Sequence, residues 1–190
     1  NLCDALGQHV DLYVVTRDRD LGDEACYSHL IGTRANYDWQ QVGSAQVAYV
    51  ADRQLKVPII LDLISVIKPT IIHLNSLFSY SYSILPLLAL KYRSDFRCTI
   101  CISPRGELSP GALKLKAYKK LAFLSVAKAL KLYSGIKWIG TNSEEQSYIA
   151  KVFNLGVGDV LLGDNLPSFQ AWQREINRVS PKLRGLVRAV

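Results

Sequence analysis

The feature that most constrains the fold of this chain is the alternation of short apolar segments with longer segments of helical periodicity. Segments such as TIIHL at residues 70–74 are apolar at nearly every position, which is typical of strands covered on both faces of a parallel sheet. The predicted strands are residues 10–16, 46–50, 70–74, 97–102, 136–140 and 159–162, and the predicted helices are 58–67, 81–92, 109–133 and 143–153. This order predicts an α/β fold with a doubly wound, mainly parallel sheet and helices on both faces.

Length and composition indicate the domain organisation. The chain has 190 residues, of which 49% are hydrophobic and 21% charged, as expected for one folded domain or slightly more. Because the composition becomes polar after Pro167, residues 1–167 are predicted to form one domain, and residues 168–190 a linker and the start of a second. A helical remnant at residues 1–6 is expected to follow a first strand outside this sequence. No apolar run reaches the ~18 residues of a membrane span.

The net charge of the chain is +7 and its sequence pI is about 9.3. This charge favours anionic partners such as phosphates, nucleic acid or an acidic membrane surface, although solubility alone also accounts for it. Four lysines at the start of the longest predicted helix are candidates for contact with a membrane or with an acceptor phosphate. They are Lys114, Lys116, Lys119 and Lys120. Beyond Leu121 this helix is apolar nearly all round, which predicts a buried helix.

Cys98 and Cys101 have the spacing of half a zinc site or of a redox pair, but both fall in a predicted strand. An odd offset in a strand directs them to opposite faces, with backbones roughly 10 Å apart. The sequence has no second Cys or His pair with ligand spacing. We therefore interpret them as core thiols in a reducing cytoplasm.

Ligands of doubly wound sheets bind where the strands end, because helix N-termini there offer free N–H groups. Three turns of this chain qualify, after residues 74, 102 and 140, and all carry small polar residues suited to hydroxyls or phosphates. The predicted substrate-binding residues are Asn75, Ser76, Arg105, Gly106, Thr141, Ser143 and Glu144.

Of the three turns, residues 103–107, with the sequence SPRGE, have the side chains best suited to ligand binding and proton transfer. Arg105 can clamp a phosphate or carboxylate with two hydrogen bonds, and Gly106 permits close backbone approach. Glu107 can accept a proton or bind sugar hydroxyls, so it is the candidate catalytic residue. The alternative is a capped turn with solvated charges, because Ser109 and Pro110 form a good helix start.

Other polar features are better explained as structural. Ser143-x-x-Gln146 has the pattern of a capping box, and His73, flanked by apolar residues, is interpreted as a hydrogen-bonded core histidine in preference to a catalytic one. There is no Ser-His-Asp order, no paired-carboxylate motif and no cluster with metal-ligand spacing, so no metal site is predicted.

Four runs of the sequence, taken together, resemble a known family. They are IIHLNSLFSYSYSILPLLALKYR, CISPRGELSPGALKLKAYKK, WIGTNSEEQSYIAKVF and NLP. They resemble the amino-terminal half of the family 4 glycosyltransferases, which have the two-domain GT-B architecture, and the resemblance covers residues 1–167. It implies a Rossmann-like acceptor-binding domain that works with a second, nucleotide-sugar-binding domain.

The resemblance also sets the expected activity. It implies a retaining, hexosyl-type glycosyltransferase without metal or other cofactor, acting on a nucleotide-sugar and a glycan or lipid-linked acceptor in surface polysaccharide biosynthesis. The expected location is the cytoplasm, with peripheral contact at the inner face of the cell membrane, and no nucleic acid partner is expected. The fragment alone is expected to be inactive. The alternatives are a GT-B-fold nucleotide-sugar epimerase and a non-catalytic basic module that binds anionic membrane or nucleic acid.

Two positions depart from the family pattern. Arg105 stands where many relatives have histidine in Pro-His-Gly, and Asn75 stands where many have a second histidine. Arginine cannot act as a general base, so no proton-accepting role is carried over to Arg105.

Overall fold

We describe the chain from a computed structural model, which covers residues 9–20, 22–27, 39–91 and 96–163. The architecture is α/β, with a four-stranded, all-parallel sheet flanked by helices. It is compatible with a Rossmann-like doubly wound fold, so the predicted fold class is confirmed. The predicted helix at residues 1–6, the domain boundary after residue 167 and the linker at 168–190 lie outside the described residues.

Apart from strand β2 and a break in the longest helix, the strands and helices follow one another in the predicted order. The strands are β1 (Leu12–Thr16), β2 (Trp39–Val42), β3 (Ala45–Tyr49), β4 (Ile71–Leu74), β5 (Thr99–Ile102), β6 (Lys137–Gly140) and β7 (Val160–Leu162). The helices are α1 (Val57–Ile67), α2 (Leu85–Lys91), α3 (Pro110–Lys114), α4 (Ala117–Ala129) and α5 (Ser143–Phe153). A π-helical turn, Tyr80–Ile84, precedes α2, and a 3-10 turn, Val157–Asp159, precedes β7.

The described strands form two sheets. In the first, β3 pairs in parallel with β1 and antiparallel with β2. The second has the order β4-β5-β6-β7, and all of its pairs are parallel. Its register aligns one row of buried side chains across the four strands, and these residues are Leu74, Ile102, Trp138 and Val160.

Two clusters of buried apolar side chains hold these layers together. One packs the row across β4–β7 against α4 and α5, where Trp138 stacks on Phe153 at a ring-centroid distance of 4.1 Å. The other packs α1 and α2 against the first sheet. Ile72 and Ile100 contact both clusters, so the sheets share a continuous apolar interior. Tyr82 adds a polar link, because its hydroxyl donates to the Val50 carbonyl at 2.6 Å.

Three local predictions were wrong. The hairpin strand β2 was not predicted, because its sequence WQQV lacks a continuous apolar pattern. The segment predicted as one helix over residues 81–92 begins with the π-helical turn, and Tyr92 lies outside the described residues. The long helix predicted over residues 109–133 is broken, because Leu115 is extended and Lys116 has a φ of 55° between α3 and α4.

Cys98 and Cys101 are free thiols, and burial raises the pKa of each. Within the described ranges, no helix is long and apolar enough to cross a membrane.

Candidate functional site

The turn between β5 and α3, residues 103–108, lies at the carboxyl edge of the parallel sheet, and we call it the central turn. Arg105 and Gly106 both have left-handed backbone conformations, with φ of 55° and 80°. Ser109 then caps α3, because its hydroxyl accepts from the Ala112 N–H at 3.3 Å, and Pro110 is the first helical residue. The predicted start of this helix is therefore confirmed.

Glu107 ties the central turn to the loop after β4. Its carboxylate accepts hydrogen bonds from the Ser76 hydroxyl at 2.9 Å, the Leu77 N–H at 2.5 Å and the Phe78 N–H at 3.2 Å. Because these donors precede the π-helical turn, Glu107 satisfies backbone groups that would otherwise lack partners. The side chain has a positioning role in this structure, and its catalytic role stays a prediction.

Glu145 ties the central turn to the loop after β6. The residue is 3% exposed, and its carboxylate accepts from the Gly106 N–H at 2.5 Å. The same carboxylate accepts from the Thr141 N–H at 2.8 Å and the Thr141 hydroxyl at 2.6 Å. Two carboxylates thus fix the loops after β4 and β6 to the central turn, which lies between them.

Arg105 is the exposed cation at the middle of this edge. Its guanidinium lies 3.3 Å from the Asn75 side-chain oxygen through Nη2 and 3.4 Å through Nε, a long contact that leaves both side chains at the surface. A non-glycine residue in the left-handed region costs on the order of 1–2 kcal/mol. Four other described non-glycine residues share this conformation, so what distinguishes Arg105 is its position in the turn that joins the loops after β4 and β6.

His73, at the end of β4, belongs to the same edge. Its Nε2 lies 2.8 Å from the hydroxyl of Ser103, which is itself 2% exposed. Desolvation and the positive charge of Arg105 lower the pKa of the imidazole from its usual value. The predicted hydrogen bond is present, but His73 is exposed, so its assignment to the core was wrong. Its apolar neighbours in the sequence gave no sign that this strand edge is open.

The predicted substrate-binding residues divide into two groups. Those at the surface of the edge are Asn75, Arg105, Gly106, Ser143 and Glu144. The hydroxyls of Ser76 and Thr141 instead donate to the two buried or half-buried carboxylates, so they stabilise the loops in this structure. Of the four candidate lysines, Lys114, Lys116 and Lys119 are exposed, whereas Lys120 donates to the Ala112 carbonyl at 2.7 Å.

The capping residue of α5 is Asn142 rather than Ser143, which corrects the predicted capping box. The Asn142 side chain accepts from the Glu145 N–H at 2.8 Å, and Ser143 is the first helical residue. The shift by one residue places Glu145 at the third helical position, where a glutamate turns back toward the preceding loop. The pattern Asn142-x-x-Glu145 was the available signal for this buried carboxylate, which the sequence reasoning missed.

A separate concave region lies where β1 and β3 end, away from the central turn. It is a cavity of about 290 Å³ with arginine and aspartate side chains in its wall. Two of its ion pairs are Arg17–Asp52 at 3.3 Å and Arg19–Asp18 at 2.8 Å, so the charges largely satisfy one another. In the part of the chain that the structure describes, no group of three or more His, Cys, Asp or Glu side chains could hold a metal ion.

Comparison with protein-family profiles, with curated proteins and with solved structures finds no match to this chain.

Proposed function

We propose that this chain is the acceptor-binding half of a glycosyltransferase of GT-B architecture, with a mechanism like that of family 4. The resemblance of the four sequence runs supports the class of enzyme. The observation that carries the proposal is the carboxyl edge of the sheet, where two carboxylates hold three loops in place around an exposed, strained arginine. An edge fixed in this way is suited to bind a polar ligand without further ordering of its loops.

Each exposed residue at the edge has a chemical role in this proposal. Arg105 neutralises an anionic acceptor or the donor diphosphate, because a guanidinium binds phosphate oxygens with two parallel hydrogen bonds. Asn75, Ser143 and Glu144 bind sugar hydroxyls. A second domain binds the nucleotide-sugar, and no metal or other cofactor takes part. If the acceptor is lipid-linked, the protein works at the cytoplasmic face of the cell membrane.

Glu107 has two competing roles in this proposal. Its three hydrogen bonds leave little capacity for substrate hydroxyls, which favours the positioning role over proton transfer. The two roles predict different effects of Glu107→Gln in the proposed two-domain enzyme. A positioning role lowers the free energy of unfolding together with activity, whereas a catalytic role lowers kcat and leaves stability unchanged.

The test of the proposal is a transfer assay with UDP- and GDP-sugars as donors, on a protein that carries both this chain and the proposed second domain. Arg105→Ala is expected to lower kcat/KM about ten- to a hundredfold, the loss of one charge-assisted contact of ~1.5–3 kcal/mol. Arg105→Lys should recover only part of this loss. Arg97→Ala is the matched control, because Arg97 is also exposed but precedes β5 at the opposite edge of the sheet.

Full activity of Arg105→Ala would contradict the proposed site. If Arg97→Ala lost activity as well, the effect of Arg105→Ala would no longer be specific to the carboxyl edge of the sheet. The division of labour between two domains is tested separately by calorimetric titration of the 190-residue chain. This chain is expected to bind nucleotide-sugars weakly and to transfer no sugar. Micromolar affinity would contradict that division. Interconversion of a nucleotide-sugar without transfer would favour the epimerase instead.

A further inference from the structure

Helix α4 exposes an apolar face, contrary to the buried helix that its sequence predicts. Its inner face contributes Leu124 and Ala127 to the core. Its outer face carries large apolar side chains of high exposure, as does the break that precedes it. These are Leu115 at 71%, Tyr118 at 73%, Leu121 at 55% and Val126 at 58%. Tyr118, Leu121, Ala122, Ser125 and Ala129 recur at helical spacing, so they form one stripe along the outside of the helix.

Lysines surround this stripe, and within the described residues none of them forms an ion pair with an acidic side chain. From Leu108 to Ser143 the sequence has seven lysines and no aspartate or glutamate. In the described residues, Lys114, Lys116 and Lys119 are exposed, and the ion pairs found there join arginines to aspartates in the loops after β1 and β3. The Lys119 ammonium lies 5.8 Å from the centre of the Tyr118 ring, so a cation and an apolar surface stand side by side.

We propose that the α3–α4 surface, residues 114–126, binds the surface of an anionic lipid bilayer, with Leu115, Tyr118 and Leu121 inserted among the lipids. The lysines then contact lipid phosphates, while the apolar side chains enter the boundary between headgroups and acyl chains. The break between α3 and α4 serves this purpose, because the extended backbone at Leu115 and the left-handed Lys116 project Leu115 away from the protein.

Charge complementarity and the exposed leucines together favour lipid over other partners. A nucleic acid surface would use the lysines but would leave Leu115 and Leu121 in water, and stacking on bases would require more than one exposed aromatic ring. A second copy of this chain would bring like charges together, because both copies would present the same acid-free surface. An anionic bilayer offers phosphates to the lysines and an apolar environment to the stripe at the same time.

Vesicle co-sedimentation of the 190-residue chain tests the proposal. The chain should bind phosphatidylcholine vesicles that contain phosphatidylglycerol, bind pure phosphatidylcholine weakly, and be released by high salt. The double variant Leu115→Ser, Tyr118→Ser should lower the partition coefficient about tenfold or more. Replacing Lys114, Lys116 and Lys119 by glutamine should lower it about fivefold for each lysine.

Val66→Ser and Lys151→Gln are the matched controls, because Val66 is 67% exposed on α1 and Lys151 is exposed on α5. Both should bind vesicles as the parent chain does, and all variants should keep the parent circular dichroism spectrum. The proposal is overturned if the chain does not bind anionic vesicles, if salt does not change the binding, or if the serine variant has the partition coefficient of the parent chain. Equal affinity for duplex DNA, or a dimer that the serine variant abolishes, also overturns it. This assay measures no sugar transfer, so its outcome is independent of the proposed glycosyltransferase activity.

Discussion

Replacing Glu145 by glutamine should strongly destabilise the domain, although the change exchanges a single oxygen for an NH₂ group. The carboxylate receives three hydrogen bonds, one from Gly106 and two from Thr141. A glutamine can keep its oxygen toward the two Thr141 donors. Its NH₂ group then faces the Gly106 N–H, so two donors oppose each other and the tie to the central turn is lost.

The expected cost follows from these contacts. A hydrogen bond to a charged acceptor contributes about 1.5–3 kcal/mol, and the two bonds that remain become neutral and weaker. The neutral amide is less costly to bury than a carboxylate, which offsets part of the loss. We therefore expect a decrease of about 2–4 kcal/mol in the free energy of unfolding, out of a total of roughly 5–15 kcal/mol for a domain of this kind.

Urea denaturation at pH 7, followed by circular dichroism and by tryptophan fluorescence, to which the buried Trp138 contributes, measures this change. Glu144→Gln is the matched control, because it removes the same charge from the first turn of α5 but from an exposed side chain. The loss of the interaction with the helix dipole is common to both variants, so their difference isolates the buried hydrogen bonds. Equal destabilisation of the two variants would show that Glu145 does not hold the loops together.

Gly140→Ala is expected to cost about 1–3 kcal/mol in urea denaturation, because the new Cβ would lie 2.8 Å from the Gln146 backbone nitrogen. Gly111→Ala is its control, with no atom within 4 Å, and should be neutral or slightly stabilising. Arg105→Gly should keep the free energy of unfolding within about 1 kcal/mol of the parent value, because relief of strain offsets the added flexibility of the unfolded chain. An NMR titration should give His73 a pKa below 6.5 in the parent and closer to 6.5 in Arg105→Gly. Because the folded state disfavours the charged imidazole, stability should fall as the pH drops through about 6.5, and His73→Gln should reduce that fall.

Much of the fold could be predicted because its main signals are local. Buried parallel strands are apolar along their length, and most helices have an apolar face of period 3.6, so the predicted elements came in the correct order, although β2 was not predicted. The break at Leu115–Lys116 gave no such signal, because no glycine or proline marks it. The exposure of α4 was missed for a related reason. A helix with two apolar faces has the same sequence pattern whether one face or both faces pack against the rest of the protein.

The position of the candidate site could be predicted, but the direction of its side chains could not. The rule that ligands bind where parallel strands end depends only on topology, and it identified all three loops. Which carboxylate turns inward depends on contacts between residues far apart in the sequence. Glu107 meets its partners about 30 residues away, and the contact between Gly106 and Glu145 spans 39 residues. Adjacent glutamates such as Glu144 and Glu145 therefore look alike until the helix cap is known.

Three consecutive residues of the central turn have different roles: two of them hold the neighbouring loops, and one presents its side chain at the surface. Glu107 and the Gly106 N–H join the neighbouring loops, whereas the Arg105 guanidinium contacts the Asn75 side chain and remains at the surface. A glycine at position 105 would adopt the same φ of 55° without strain, so the backbone of the turn does not itself require an arginine. At Arg105 the left-handed backbone presents the guanidinium at the surface, and the N–H of the next residue, Gly106, donates to the Glu145 carboxylate. The strain at Arg105 is thus the structural consequence of placing an exposed cation in the turn that joins the loops after β4 and β6.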